Sequence, residues 1–279
     1  MGDVDGEEAA VAGRGTEPVE GVVTSADGTA IAWQRIGSGR PLVLVEPAGG
    51  YRDFGSLLPL ARALAGDRTA YRYDRRGRGL SGNTPPYAVE REIEDLAAVA
   101  DAARTAAGGA VPVVYGTSSG ALLAMHAVAA GVAIDRLVLF EPPLDPDDDR
   151  PAETPFTAEI RRLVAEGRRS AAADAFLAGV GVPEELVEGM GPAKAQLDAV
   201  ADTLVHDCVI SDATRSPLFA DVRVPTLVLD SEGSSEDLTG WAASVAAALP
   251  DAVHRSLSGG WHGVAEADLA AAVVAFVGG

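Results

Sequence analysis

The sequence predicts an α/β fold, in which a mostly parallel central sheet carries helices on both faces. Two patterns lead to this prediction. Short, continuous apolar runs at residues 41–46 and 111–115 are typical of strands buried on both faces of a parallel sheet. Between such runs, apolar residues recur at helical spacing, as over residues 89–103. This alternation of strand and helix is the pattern that right-handed crossovers produce.

The elements follow one another from residue 19 onward. Residues 19–25 and 29–36 flank Asp27-Gly28, which favours a two-residue hairpin turn between antiparallel strands. Further strands are predicted at 41–46, 69–73, 111–115, 134–140, 224–229 and 252–257. Further helices are predicted at 57–64, 89–103, 121–130, 239–249 and 265–277.

One long segment interrupts this rhythm. Residues 143–222 carry helical patterns (158–169, 171–177, 184–190 and 194–209) and no strand pattern. We therefore expect a helical cap inserted into one core made of residues 18–142 and 223–279. Residues 1–17 are predicted to be a disordered acidic tail, because acids, Gly and Ala dominate this part of the chain.

Composition and charge limit the classes of partner. The formal net charge of −19 argues against nucleic acid and anionic membranes, and leaves a small molecule as the expected partner. Cys208 is the single cysteine, so an intramolecular disulfide is excluded and a reducing cytoplasm is expected. No apolar run is long enough to span a bilayer, and the acidic N-terminus does not resemble a secretory signal. The acidic stretch at residues 145–149 lacks an ordered ligand spacing, so we expect a solvated loop there.

The sequence Gly116-Thr-Ser118-Ser-Gly120 matches the nucleophile-elbow pattern G-x-S-x-G. A predicted buried strand precedes it and a predicted helix follows it, which is the context this motif requires. A tight strand-to-helix turn exposes the hydroxyl of Ser118, and the N-terminus of the helix favours negative charge nearby. The alternative is a plain Gly/Ser turn that caps the helix.

With these features the chain resembles the α/β-hydrolase superfamily over about residues 20–279. The resemblance depends on five segments in the order typical of that family: 42–50 as an oxyanion loop, 73–81 as a Y-D-x-R-G-x-G-x-S turn, the elbow at 116–120, the strand at 225–229, and Gly259-Gly-Trp-His262 before the last helix. It implies an α/β-hydrolase fold with a helical cap and a serine nucleophile. The composition is also similar to that of actinobacterial hydrolases.

The resemblance implies that His262 is the general base. It follows the last predicted strand in a Gly-rich loop, and an imidazole can take the Ser118 proton and return it to a leaving group. The other histidines are assigned elsewhere. His126 is predicted to pack on a helix, His206 to lie in the cap, and His254 to face solvent from a strand.

The acid that should orient the histidine is open among three carboxylates. At the position where the family usually has an aspartate, this chain has Ser234. Glu141, at the end of the strand after the elbow helix, is the favoured candidate. Asp230 is the next candidate, and Glu232 is also near the usual place.

The oxyanion loop departs from the family pattern as well. Backbone N–H groups of Ala48 and Ser119 are expected to form the oxyanion hole. Glu46 stands where His-Gly is usual, and two alternatives remain open for it. It pairs with a cation such as Arg75 or Arg76, or it stays protonated at the substrate site and donates a proton in non-hydrolytic chemistry.

Two aromatic residues flank the predicted catalytic pair. Tyr115 and Trp261 either line the substrate pocket or belong to the core.

The implied function is hydrolysis of a carboxylic ester, lactone or thioester through an acyl-enzyme, with no metal or organic cofactor. The apolar cap favours a small, largely apolar substrate. Two alternatives are kept: a lyase or cyclase that uses the same pocket for acid–base chemistry, and a non-catalytic ligand-binding protein.

Overall fold

A computed structural model describes residues 17–144 and 151–278 of the chain, and it confirms the predicted α/β fold. Apart from its last residue, the predicted acidic tail lies outside the described residues. The acidic stretch at residues 145–149 does so too. Within the described ranges, no helix combines the length and the apolar content that crossing a membrane requires.

The central sheet has eight strands in the order β1-β2-β4-β3-β5-β6-β7-β8. The pairs β1–β2 and β2–β4 are antiparallel, and every other neighbouring pair is parallel. The strands are β1 (Val19–Thr24), β2 (Ala30–Gly37), β3 (Arg40–Val45), β4 (Arg68–Tyr73), β5 (Val113–Thr117), β6 (Leu137–Phe140), β7 (Thr226–Ser231) and β8 (Ala252–Leu257). Two-residue strands β9 (Gly259–Gly260) and β10 (Gly263–Val264) form a separate hairpin.

Helices cover both faces of this sheet because the central strands are apolar on both sides. In β3, Val43 and Val45 belong to the core cluster on one face, and Leu42 and Leu44 belong to the cluster on the other. Burying each such side chain contributes about 1.5–3 kcal/mol. Helices α2, α3 and α10 pack on the first face, and α1 and α11 pack on the second. Their bounds are α1 (Leu57–Leu64), α2 (Val89–Ala106), α3 (Ser119–Ala129), α10 (Glu236–Ala248) and α11 (Glu266–Val277).

Between β6 and β7, the described residues 151–222 contain six α-helices, and we call this range the helical insert. They are α4 (Pro155–Ala165), α5 (Arg169–Gly179), α6 (Glu184–Gly189), α7 (Lys194–Ala199), α8 (Leu204–Ala213) and α9 (Ser216–Phe219). The insert has its own apolar cluster, which includes Ile160, Phe176 and Leu204. The half-buried side chains of Ala48 and Phe54, from the loop after β3, pack against that cluster. The insert therefore contacts the segment that the sequence assigns to the oxyanion hole.

The helical pattern predicted over residues 194–209 is divided between two helices in the structure. The chain forms α7, a 3₁₀ turn at Ala201–Thr203, and then α8. The Thr203 hydroxyl donates to the Val200 carbonyl at 2.8 Å and accepts from Arg78 at 3.0 Å. This local hydrogen bond competes with the regular helical pattern, so the helix breaks at that point.

Candidate active site

Ser118 lies in a sharp turn between β5 and α3. Strand β5 ends at Thr117, two residues later than predicted, and α3 begins at Ser119, so a single residue makes the connection. Its φ of 53° is in the left-handed region, which disfavours residues with a β-carbon. The turn also requires close backbone packing, because a β-carbon at Gly120 would lie 2.5 Å from the Val45 carbonyl oxygen. The glycine of the motif therefore lets α3 start against β3.

Four non-glycine residues of the described ranges have positive φ: Ser118, Glu141, Trp261 and His262, at 53°, 47°, 42° and 58°. Three of them are the residues that the sequence favours as nucleophile, acid and base. Such conformations cost about 1–3 kcal/mol each and cluster at functional sites. Strain in these four positions therefore points to one site at the carboxyl ends of the parallel strands.

Glu141 is buried directly after β6, and its two carboxylate oxygens have different partners. Its Oε1 accepts hydrogen bonds from the Ser231 backbone N–H (2.9 Å), the Ser231 hydroxyl (2.5 Å) and the Ser234 hydroxyl (2.6 Å). Its Oε2 accepts from the His262 backbone N–H at 3.0 Å and contacts Nδ1 of the same imidazole. Burial raises the pKa of Glu141, but the bonds from His262 and the two serines outweigh it and hold that pKa at about 2. Glu141 is therefore an ionised carboxylate against the His262 ring.

His262 lies at the tip of the small β9–β10 hairpin, where the sequence predicts only a Gly-rich loop. Trp261 and His262 are the two turn residues, and both have positive φ, as a type I′ hairpin turn requires. The Gly233 N–H donates to the Gly259 carbonyl at 2.7 Å and holds this hairpin against the end of β7. The hairpin and Glu141 together fix the imidazole.

Asp230, the alternative acid, does not reach His262, and this alternative is corrected. Its Oδ2 lies 2.5 Å from Nε2 of His254. Adjacent residues of a strand point to opposite faces, so Ser231 faces Glu141 while Asp230 faces away from it. His254 lies exposed on β8, as predicted, and its ring also pairs with Asp230. Glu232 is exposed and accepts from the Ser258 hydroxyl at 3.0 Å.

Glu46 does not line the cleft that contains Ser118, so its predicted place in substrate binding is corrected. Its Oε1 accepts from Nη2 of Arg72 at 3.0 Å, and its Oε2 accepts from the Ser56 N–H at 3.1 Å. The expected pairing with an arginine is confirmed, but the partner is Arg72 rather than Arg75 or Arg76. The neighbouring strand β4 delivers Arg72, which pairs in register with Leu44. Burial raises the pKa of Glu46, and the Arg72 guanidinium opposes that rise.

Tyr115 belongs to the core rather than to the cleft, which corrects its assignment to substrate binding. It is fully buried on β5 in the cluster under α1 and α11, and its hydroxyl accepts from the Thr117 hydroxyl at 3.3 Å. Trp261, in contrast, lines the cleft.

Ser118 and His262 line the same cleft, which has a volume of about 500 Å³. Ala48 and Ser119, the predicted oxyanion-hole residues, line it as well. Most of the wall is apolar, with Leu122, Phe156, Phe176, Leu238 and Trp241. The carboxylates of Asp207, Asp212 and Asp237 also line it, and no lysine or arginine does so among the described residues.

The two remaining histidines lie outside this cleft. His126 packs on α3 with Nε2 at 3.0 Å from the Thr214 hydroxyl. His206, on α8, stacks on Tyr87 with ring centroids 3.8 Å apart. Burial lowers the pKa of each imidazole to about 4, so both are neutral near pH 7.

Sequence reasoning missed the groups that support Glu141. Ser231 and Ser234 donate hydrogen bonds to its carboxylate, and Ser234 was noted only as a departure from the family pattern. Two features together could have predicted that Glu141 is the acid: Ser234 at the position where the family usually has an aspartate, and a carboxylate directly after β6. The hydrogen bond from the Ser119 hydroxyl to Asp207 was missed as well, because no local sequence pattern indicates it.

Comparisons with known proteins agree with this fold. The model of the alpha/beta hydrolase family matches residues 11–276. An alpha/beta hydrolase from Sphaerobacter thermophilus has 44% sequence identity and a TM-score of 0.82, covering 92% of this chain and 100% of that one. An enol-lactonase from Burkholderia xenovorans (20% identity, TM-score 0.69, covering 93% and 100%) and an esterase from a Rhodococcus species (21%, 0.63, 93% and 98%) share the fold. A comparison with curated proteins found no match. The chain is therefore a hydrolase enzyme of the alpha/beta hydrolase family.

Proposed function

We propose that the protein is a serine hydrolase that cleaves a carboxylic ester, lactone or thioester of a small, uncharged and largely apolar substrate. One observation carries this proposal: Ser118 and His262, distant in sequence and both in strained conformations, line one cleft, and the equally strained Glu141 contacts the His262 ring. The contact between Glu141 and the imidazole supports their assignment as a triad with Ser118.

In the proposed reaction, the Ser118 hydroxyl attacks the substrate carbonyl while Nε2 of His262 takes its proton. Glu141 holds the Nδ1 side of the ring and stabilises the imidazolium that forms. The backbone N–H groups of Ala48 and Ser119 stabilise the oxyanion, each by about 3 kcal/mol. The alcohol or thiol leaves with the proton from His262. Water then repeats the sequence on the acyl-enzyme, and the carboxylic acid is released.

The lining of the cleft supports the substrate class. Phe156 and Phe176 of the helical insert are on its wall, so we propose that the insert acts as a cap that encloses the substrate. Asp212 and Asp237 disfavour a negatively charged group on the acyl chain, since no lysine or arginine of the described residues lines the cleft. Asp207 lines the cleft as well, but Arg75 and Arg78 balance its charge. The fold neighbours include an enol-lactonase and an esterase, which agrees with hydrolysis of an ester or lactone bond.

No observation favours the two alternatives. The lyase or cyclase hypothesis depends on the altered oxyanion loop and on the missing acid at the usual position. Glu46 of that loop pairs with Arg72 outside the cleft, and Glu141 contacts the His262 imidazole. A ligand-binding protein has no need for a strained serine and a carboxylate-oriented imidazole in one cleft.

Hydrolysis of p-nitrophenyl esters by the purified chain tests the proposal. We expect turnover of the neutral acetate to octanoate esters, and a loss of at least about a thousandfold in kcat for Ser118→Ala. Ser256→Ala, which removes an exposed hydroxyl from β8, is the matched control and should keep the wild-type rate. A p-nitrophenyl ester with a free carboxylate at the far end of its acyl chain should have a lower kcat/KM than the neutral ester of equal length. Full activity of Ser118→Ala would refute the mechanism.

A further inference from the structure

A buried cluster of four charged side chains joins the helical insert to the core beside the proposed active site. Arg75 and Arg78 come from the Gly-rich turn after β4, Glu92 from α2 and Asp207 from α8. Each of these side chains is at most 2% exposed. Arg75 binds Glu92 at 2.7 and 3.0 Å and Asp207 at 2.7 Å, and Arg78 binds Asp207 at 2.5 Å. With two cations and two anions, this buried charge cluster is neutral.

One oxygen of Asp207 holds the residue that follows the nucleophile. The Ser119 hydroxyl donates to Oδ1 of Asp207 at 2.7 Å, and Arg75 Nη1 lies 3.2 Å from the same hydroxyl. Ser119 is the first residue of α3, and its N–H is one of the two proposed oxyanion donors. The Ser119 side chain is therefore hydrogen-bonded to α8 of the insert.

The other oxygen of Asp207 is connected to the second oxyanion donor through Arg78. While Nη2 of Arg78 binds Oδ2 of Asp207, its Nη1 donates to the Pro47 carbonyl at 3.0 Å and the Gly50 carbonyl at 3.3 Å. These two carbonyls flank Ala48, the proposed donor of this loop. The Asp207 carboxylate therefore binds a group beside each proposed oxyanion donor. These groups are the Ser119 hydroxyl and Arg78, which binds the carbonyls on either side of Ala48.

Stability alone is a poor explanation for such a cluster. Removing four charged groups from water is costly, and apolar side chains of similar volume often stabilise a core equally well or better. Burial raises the pKa of Asp207, but Arg78 and Arg75 outweigh it and lower that pKa, so the carboxylate is ionised near pH 7. The cluster therefore supplies a fixed anion that orients donors, which an apolar core cannot do.

We propose that Asp207 is a positioning residue of the reaction, which sets the spacing of the Ala48 and Ser119 N–H groups through Arg78 and the Ser119 hydroxyl. This inference rests on the proposed serine hydrolase function. It assigns to α8 of the insert a role in stabilising the transition state, in addition to the role of the insert as a cap over the substrate.

Ser119→Ala is the sharpest test, because it removes the hydroxyl that binds Asp207 but keeps the backbone N–H and all four charges. We expect kcat for a neutral p-nitrophenyl ester to fall about tenfold with KM within about twofold, since one hydrogen bond that orients a donor is lost. An alkylboronic acid, which forms a tetrahedral anion on Ser118, should bind about tenfold more weakly. Asp207→Asn should change kcat and boronate affinity in the same direction and by more.

Asp202→Asn is the matched control, because this exposed carboxylate lies on the same insert and pairs with Arg169 away from the cleft. It should keep wild-type kcat and boronate affinity. If Ser119→Ala keeps kcat and boronate affinity within about twofold of wild type, the inference is overturned, even if Asp207→Asn fails to fold. A change only in KM or in melting temperature would overturn it too. Failure of the hydrolase proposal is recognised separately, since Ser118→Ala would then retain full activity.

Discussion

At the scale of single residues, the site depends on backbone conformations that most residues avoid. Ser118, Glu141 and His262 each have positive φ, at a cost of about 1–3 kcal/mol per residue. Hydrogen bonds around Glu141 offset part of this cost, because its carboxylate accepts from both Ser231 and the His262 backbone. With a pKa held at about 2, Glu141 stays charged throughout the pH range in which an imidazole gains its proton.

Glu141→Gln and Asp230→Asn separate the two carboxylates that the sequence left as the main alternatives. Glu141→Gln removes the charge beside His262, so we expect kcat for a neutral ester to fall at least about a hundredfold. Asp230→Asn changes only the pair with His254 and should keep kcat within about threefold. Steady-state kinetics of the two variants, with melting temperatures to verify folding, measure this difference. Equal losses in both variants would contradict the assignment.

At the scale of elements, the elbow depends on how closely β3, β5 and α3 approach one another. A β-carbon at Gly116 would collide with backbone atoms of Gly120 and Ala121, and one at Gly120 would meet the Val45 carbonyl. Both contacts are with backbone, which cannot move away as a flexible side chain can. The two glycines therefore allow the close approach that holds Ser118 in its turn.

Gly120→Ala should destabilise the protein by about 1–3 kcal/mol, as expected of overpacking against a rigid neighbour. Gly240→Ala is the matched control, because Gly240 lies inside α10 with nothing near its β-carbon position. It should stabilise the protein by about 0.5–1 kcal/mol through helix propensity. Denaturant unfolding measures both changes. A free energy of unfolding that rises in both variants would show that the packing argument is wrong.

The elements themselves could largely be predicted from sequence, and the exceptions have a common physical cause. The helix at 57–64 has the predicted bounds because a local apolar pattern determines it, and the strand at 252–257 has its predicted bounds too. The break in the predicted helix at 194–209 depends instead on Thr203, whose partner Arg78 is distant in sequence. Single-sequence patterns contain no information about such contacts.

In the candidate site too, residues within a local sequence pattern could be predicted, and residues fixed by contacts distant in sequence could not. Ser118 and His262 were identified because each occurs in a local pattern with a fixed place in the fold. For the residue that orients His262, the sequence left three candidate carboxylates. The choice among them depends on which side chain at the ends of β6 and β7 faces the imidazole. The structure brings Glu141 to the ring and directs Asp230 to His254.

At the scale of the whole molecule, acidic residues outnumber basic ones by 41 to 22, giving the net charge of −19. Several of the arginines are buried in ion pairs with acids, as in the buried charge cluster. Asp212 and Asp237 line the cleft beside Asp207 of that neutral cluster, and no lysine or arginine of the described residues lines it. Both the overall field and the local field therefore repel anionic substrates, which is the physical basis of the expected preference for neutral esters.

The most direct measurement of the central claim is the site of covalent labelling by a fluorophosphonate, located by peptide mass spectrometry. The account predicts a single adduct on Ser118 in the wild-type chain, slower labelling in Glu141→Gln and in an alanine variant at His262, and no adduct in Ser118→Ala. Labelling at another residue, or labelling of Ser118 that is equally fast without the imidazole of His262, would contradict it.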